Sequence, residues 1–160
     1  MTTQNSTVAV GTRFRFLDSL MAVRADSAGT AGQLGVTECW AERGHCSPTM
    51  IHLHEDDGYF VIEGELTVWI NDNPPVAHGP GGFAWVPRGT RQAYAVTSPS
   101  AHFLCINTPG GFESFFVNMG VPADGDGLPP GGSPAQDELQ YVKDHAPDMG
   151  ITVTGPPPEL

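Results

Sequence analysis

The sequence predicts an all-β fold, a sandwich or barrel of short strands, from three observations. Apolar and polar residues alternate over short runs along most of the chain, with no helical pattern between the runs. Turn signals cut these runs at close spacing, and 20 Gly and 15 Pro in 160 residues provide them. The stretch Gly44–Gly64, GHCSPTMIHLHEDDGYFVIEG, places His52 and His54 two apart in an extended apolar segment. Three acids follow it, then the apolar run Tyr59–Ile62 closing on Glu63-Gly64. Side chains at i and i+2 of a strand share a face, so Met50, His52 and His54 are expected to point the same way.

Taken in order, residues 1–12 are polar and expected to be loose. Phe14 and Phe16 alternate with Arg13 and Arg15 as a short strand, and Leu17–Arg24 reads as another. Ala28–Gly32 is a turn. Gln33–Ala41 follows as a strand with Leu34, Val36 and Trp40 on one face. Glu38 shares that face, as a buried polar group or as the mark of a strand end. Gly44–Pro48 turns into the central stretch. Glu65–Ile70 is a strand ended by the strong turn Asn71–Pro75. Val76–His78 is short, Pro80–Gly82 turns again, and Phe83–Val86 is apolar. Pro87–Thr90 leads into Gln92–Val96, and Ala101–Asn107 is the last barrel-type strand. Two helices are expected after it, at about Phe112–Met119 and from Ser133 onward. In the second, Ser133 offers an N-cap, Pro134 a first-turn proline and Gln136 a reciprocal cap. Leu139, Val142 and Ala146 form one stripe that Gly150 ends. Val121–Gly132 between the helices is long enough for a lid, and Ile151–Thr154 adds a strand.

The chain reads as one domain over 1–160, a barrel at about 14–110 with a helical extension at about 111–160, large enough for a core without disulfides. A net charge of −11 with a single lysine, Lys143, argues against nucleic acid or an anionic membrane as partner. Cys39, Cys46 and Cys105 are an odd set without C-x-x-C, so neither a disulfide framework nor a zinc knuckle is indicated. With no leader pattern and no long apolar run, a cytoplasmic protein is the expectation. Asn5-Ser6-Thr7 matches a glycosylation pattern that carries little weight without a secretory signal.

These residues resemble the cupin jelly-roll barrel, whose two motifs carry metal ligands. The first, G-x5-H-x-H-x4-E-x6-G, is met without a gap by Gly44, Met50, His52, Asp57 and Gly64. The second, G-x5-P-x-G-x2-H-x3-N, is met by Gly81, Pro87, Gly89, Gln92 and Val96. Between them lie sixteen residues, as in compact bacterial members. The resemblance runs from about Val23 to Asn118. TPGGFESFF and the terminal GITVTGPPP are similar to the single-domain quercetin 2,3-dioxygenase-like branch. It implies a homodimer, which Phe14–Val23 supports as an apolar segment that a single small barrel has little room to bury.

The departures from the motifs matter most. Of the four usual ligands only His52 stands; the others are Met50, Asp57 and Gln92. A thioether suits Cu(I) far better than the metals cupins hold. No metal or cofactor is therefore expected, unless His54 joins His52 and Asp57 (or Glu55) in a two-histidine, one-carboxylate set. The expected catalytic residues are His52, Asp57, His54, Gln92 and Tyr94. Met50, Tyr59, Val61, Trp69, Trp85 and Phe103 are expected to wall the pocket, the aromatic ones also serving as core. His45, His78, His102 and His145 show no partner pattern and are read as surface or structural. The leading reading is a metal-independent enzyme of secondary metabolism. It would cyclise, isomerise or dehydrate a polyketide-like or phenolic small molecule by His/Asp acid–base chemistry. A metal-dependent dioxygenase is the second reading, and a non-catalytic small-molecule binder the third.

Overall fold

The computed structural model describes residues 9–132 and 134–160. Twelve strands lie in two antiparallel sheets facing each other: β1 (Arg13–Phe16), β2 (Ser19–Ala25), β3 (Gly35–Glu42), β4 (Thr49–His52), β5 (Asp56–Glu63), β6 (Leu66–Ile70), β7 (Val76–His78), β8 (Phe83–Val86), β9 (Arg91–Val96), β10 (Ser100–Thr108), β11 (Val121–Pro122) and β12 (Ile151–Gly155). One sheet has the order β11-β1-β2-β3-β10-β5-β8, the other β12-β4-β9-β6-β7. Helix α1 spans Glu113–Met119 and α2 spans Gln136–His145, the latter followed by a 3-10 turn at Ala146–Met149. The expected all-β jelly roll with short C-terminal helices is the observed architecture.

The core lies between the sheets, where period-2 alternation turns Met21, Val61, Leu66, Val68, Val86 and Phe103 inward. Strand β10 is the spine of the larger sheet. It pairs along its length with β3 on one side and β5 on the other, setting Cys105 opposite Tyr59 and Asn107 opposite Asp57. The smaller sheet sets Met50 of β4 opposite Gln92 of β9. Gly64, which closes the first motif, has φ +78°, and a Cβ there would lie 2.2 Å from the Ser100 carbonyl oxygen. Only glycine fits that turn.

The structure corrects four expectations. The strand read from Leu17 begins at Ser19, because Leu17 takes φ +52° and forms with Asp18 the tight turn of the β1–β2 hairpin. In β3 the buried face is Thr37, Cys39 and Ala41, so the face bearing Val36, Glu38 and Trp40 is the outer one. Glu38 is accordingly neither buried nor a strand end; it pairs outside the barrel with Arg24 and His102. Phe14, Phe16, Leu20, Met21, Ala22 and Val23 are all buried within the single chain, where Phe16 packs edge-on against Phe116 of α1. The argument for a partner copy from this segment falls away. Finally, α2 starts at Gln136 with Ala135 at its cap position and no side-chain cap. Ser133 and the Asn5-Ser6-Thr7 pattern lie outside the described residues.

The extension forms a roof on the barrel. Strand β12 pairs with β4, the strand that carries Met50 and His52. Gly150, at φ +72°, turns the chain out of the 3-10 segment into that pairing. Helix α2 has no fully buried residue and is tied down by Arg15, whose guanidinium donates to both oxygens of Glu138 at 2.6 and 3.0 Å. No helix among the described residues is long and apolar enough to cross a membrane.

Candidate active site

A cavity of about 780 Å³ opens between the barrel and this roof. Met50 and His52 of β4, Asp57 and Tyr59 of β5, and Tyr94 of β9 line its barrel side. Phe112, Phe115 and Phe116 form one apolar flank, and Leu139, Val142 and Ala146 close the roof. The chain's one lysine, Lys143, sits at that roof.

His52 is the centre of charge. It is 3% exposed, and its Nδ1 lies 2.9 Å from Asp57 Oδ2 and 3.0 Å from Glu55 Oε1. The nitrogen sits between the two carboxylates rather than aligned on either, and Nε2 has no partner in the protein. Burial alone would lower the imidazole's pKa. Hydrogen bonding and charge from Asp57 and Glu55 outweigh that and lift it to about 9. His52 is therefore an imidazolium at neutral pH, with its ring against Phe112 at 4.7 Å between centroids.

Asp57 is held by neutral amides. Asn107 Nδ2 donates to Oδ1 at 2.6 Å, as cross-strand opposition of the two residues dictates. Gln92 Nε2 donates to Oδ2 at 2.5 Å, and the Gln92 carbonyl in turn accepts from the Tyr59 hydroxyl at 2.8 Å. Burial, and after it the Asp57 charge, pushes the Tyr59 phenol well above its ordinary value, so it stays a donor. Gln92, though buried in this network, is not on the cavity wall.

Other expected residues fall elsewhere. β4 ends at His52 and the chain bends at Leu53–His54, which breaks the alternation and leaves His54 exposed beside Gly150. Glu55, two residues past the strand end, turns inward in its place. Trp85 alternates with the inward-facing Ala84 and Val86, and so stands 43% exposed on the outer face beside Phe83. Trp69 is outward for the same reason, between the buried Val68 and the partly buried Ile70. Val61 and Phe103 are fully buried but lie one pleat beyond Tyr59 and Cys105, where Phe103 packs edge-on under Tyr94 at 5.9 Å. None of these four lines the cavity.

Two residues missed as site candidates stand on the wall. His45, 1% exposed, and Asp18, 5% exposed, are joined at 2.5 Å between Nδ1 and Oδ1. Each comes from a turn, where no periodicity signals which way a side chain points. Asn107, also not among the expected site residues, is the one that alternation could have found, since it shares the face of Phe103 and Cys105.

Two facing antiparallel sheets, with both motif glycine turns in place, have the architecture of a cupin barrel. The model of the family described as "Cupin domain" matches residues 38–107. Quercetin 2,3-dioxygenase of Bacillus subtilis (strain 168) is 29% identical over 119 residues. That match covers 74% of this chain and 35% of the relative, so the chain spans about a third of the relative's length. Among solved structures, KdgF from Halomonas sp. has a TM-score of 0.54 at 16% identity, over 62% of this chain and 88% of that one. A Bacillus subtilis oxalate decarboxylase has a TM-score of 0.55 at 17% identity, over 62% of this chain and 28% of that one. Pac13, a nucleoside dehydratase, has a TM-score of 0.50 at 22% identity, over 63% and 78%.

The donor set at the inherited ligand positions does not fit a transition metal. Met50 offers a thioether, and both ends of the Gln92 amide are engaged with Asp57 and Tyr59. Among the described residues, His52, Glu55 and Asp57 alone gather three possible ligand atoms, within 4.8 Å of one another.

Proposed function

We propose that the protein is a small-molecule enzyme that works by acid–base chemistry, without a metal, on a phenolic or polyketide-like ketone. One observation carries the reading. A buried imidazolium on the wall of a mostly apolar cavity, gripped on one side by two carboxylates, keeps an unpartnered N–H on the other. That N–H is a general acid for a carbonyl or phenol oxygen. Asp57 and Glu55 orient it and restore its charge after each transfer. Gln92 and Asn107 hold Asp57 in place, and the aromatic flank Phe112–Phe116 favours a flat, apolar substrate body. Redox-neutral rearrangements of an enolisable ketone fit this equipment: isomerisation, ring closure, or loss of water. The Pac13 barrel, a nucleoside dehydratase, supports dehydration as one such outcome.

The Bacillus relative supports a second reading, a metal-dependent dioxygenase acting on a flavonol. Metal analysis together with oxygen uptake separates the two. Under the acid–base reading the purified protein holds clearly less than one equivalent of any transition metal. It consumes no oxygen with quercetin, and turnover survives chelator. One tightly held metal per chain with chelator-sensitive oxygen uptake would establish the dioxygenase instead. Tight retention of a phenolic ligand with no turnover would make the protein a binder.

A further inference from the structure

We propose that Asp18, His45 and Tyr94 form a proton relay, the second acid–base station of the cavity, with Tyr94 as the group that meets the substrate. This rests on the acid–base reading above and provides the base that His52, as the acid, requires.

The three residues come from distant parts of the chain: the β1–β2 turn, the β3–β4 connection and β9. They converge on one wall of the cavity, and none is more than 6% exposed. Asp18 Oδ1 lies 2.5 Å from His45 Nδ1, and Asp18 Oδ2 accepts the Gly132 backbone N–H at 2.7 Å. His45 Nε2 lies 3.2 Å from the Tyr94 hydroxyl. The Tyr94 backbone is pinned by its N–H to Ser47 Oγ at 3.0 Å.

The direction of proton flow follows from these contacts. Burial opposes charge on Asp18, but its hydrogen bonds from His45 and the Gly132 N–H outweigh it and hold the carboxyl below its usual range. A carboxylate only accepts, so His45 Nδ1 carries a proton and Nε2 is left to accept from Tyr94. Burial, followed by neighbouring thiols, pushes the Tyr94 phenol well above its ordinary value, so a free phenolate is not its resting form. Tyr94 takes a proton only as it passes its own to His45, whose imidazolium Asp18 then stabilises. In packing terms a phenylalanine would fill the Tyr94 position, and neither Asp18 nor His45 would be needed beneath it.

The step balances without oxidant or reductant. The α-C–H bond of a ketone breaks, its proton goes to the Tyr94 oxygen, and the Tyr94 proton moves to His45 Nε2. The electron pair forms the enol C=C while the carbonyl oxygen takes the Nε2 proton of His52. In a β,γ-unsaturated ketone, return of the proton at the γ-carbon, with the enol proton going back to His52, gives the conjugated isomer. Expulsion of a β-hydroxyl that takes up the abstracted proton gives water, with the enol proton going back to His52. Tyr59 and Tyr94, ring centroids 5.2 Å apart, bring the two stations to adjacent parts of the wall.

The test uses 1-tetralone, a bicyclic aryl ketone, and follows deuterium uptake at its α-carbon in D2O by proton NMR. Wild-type protein should accelerate exchange over buffer. Tyr94→Phe and His45→Gln should each slow it by about 10²-fold and Asp18→Asn by about tenfold, with tetralone affinity and melting temperature nearly unchanged. Affinity and melting report a purely structural role, so a rate loss without them marks the relay. Wild-type exchange in both Tyr94→Phe and His45→Gln overturns the relay, and Tyr94→Phe alone decides if His45→Gln does not fold. Slow exchange in His52→Gln beside normal exchange in those two removes the relay and leaves the acid–base reading. No exchange by wild type removes both.

Discussion

Gln92 and Asp57 are joined by an amide-to-carboxylate hydrogen bond of 2.5 Å, at two of the positions where the cupin motifs place metal ligands. Pairing them changes what the position can do. A carboxylate that accepts amide N–H groups from both Gln92 and Asn107 is fixed in place beside His52.

Restoring imidazole at the two altered positions should therefore restore a metal. Met50→His with Gln92→His places three imidazoles around Asp57, and the double variant should bind Zn, Ni or Fe in a calorimetric titration in which wild type shows no heat. A wild-type titration with one tight equivalent would sink the premise.

Stability should depend on pH through His52. Its folded pKa of about 9 exceeds the unfolded value, so the folded state binds the extra proton between the two. The stabilisation is fully present below about pH 6.5 and is lost as pH rises through about 9, by an amount on the order of 3 kcal/mol. Urea melts at pH 6, 8 and 10 read this directly. His52→Gln should flatten the profile over that window, and an unchanged slope in the variant would assign it to another group.

The strand ends explain how much of this was legible. Alternation is local, so spacing sets Met50 with His52 and Asp57 with Tyr59 on shared faces, and the resemblance to the two cupin motifs brings these and Tyr94 onto one wall. Nothing in LHED states that β4 stops at His52, so alternation carries His54 inward past the end of the strand and gives Glu55 no weight. Trp69 and Trp85 are the same failure in another form. Bulk and hydrophobicity argued for the interior, while their place in the pleat turned them out. Asp18 and His45 lie 27 residues apart in turns, and the pairing of β2 with β3, which sets Ser19 opposite Ala41, brings them together.

The two kinds of aromatic residue should separate cleanly on substitution. Phe103→Ala empties a fully buried position and should cost about 3–5 kcal/mol. Trp85→Ala, on the outer face, should cost about 1 kcal/mol or less. Neither should alter affinity for an aryl ketone in the cavity. Comparable losses of stability would mean that Trp85 is covered.

Helix α2 should be the least protected helix of the extension. It buries no residue fully, and the partly exposed Arg15–Glu138 pair adds about 1 kcal/mol at most. Amide exchange should be faster in Gln136–His145 than in Glu113–Met119, and faster again in Arg15→Gln. Equal protection of the two helices would show that the roof is anchored by other contacts.

The division between barrel and roof separates two properties that evolution can then adjust independently. The proton-handling side chains stand on strands and turns of the barrel, up to Asn107, and are fixed mainly by hydrogen bonds among themselves, with the Gly132 N–H as a tie from the segment above. The contour of the space above them is drawn largely by residues 112–157, which contribute mostly apolar surface with Gln136 and Lys143 among it, and no proton-transfer group of either station. Substitution in that segment can retune which molecules are admitted while the reaction stays the same, so relatives with unlike substrates can share one chemistry.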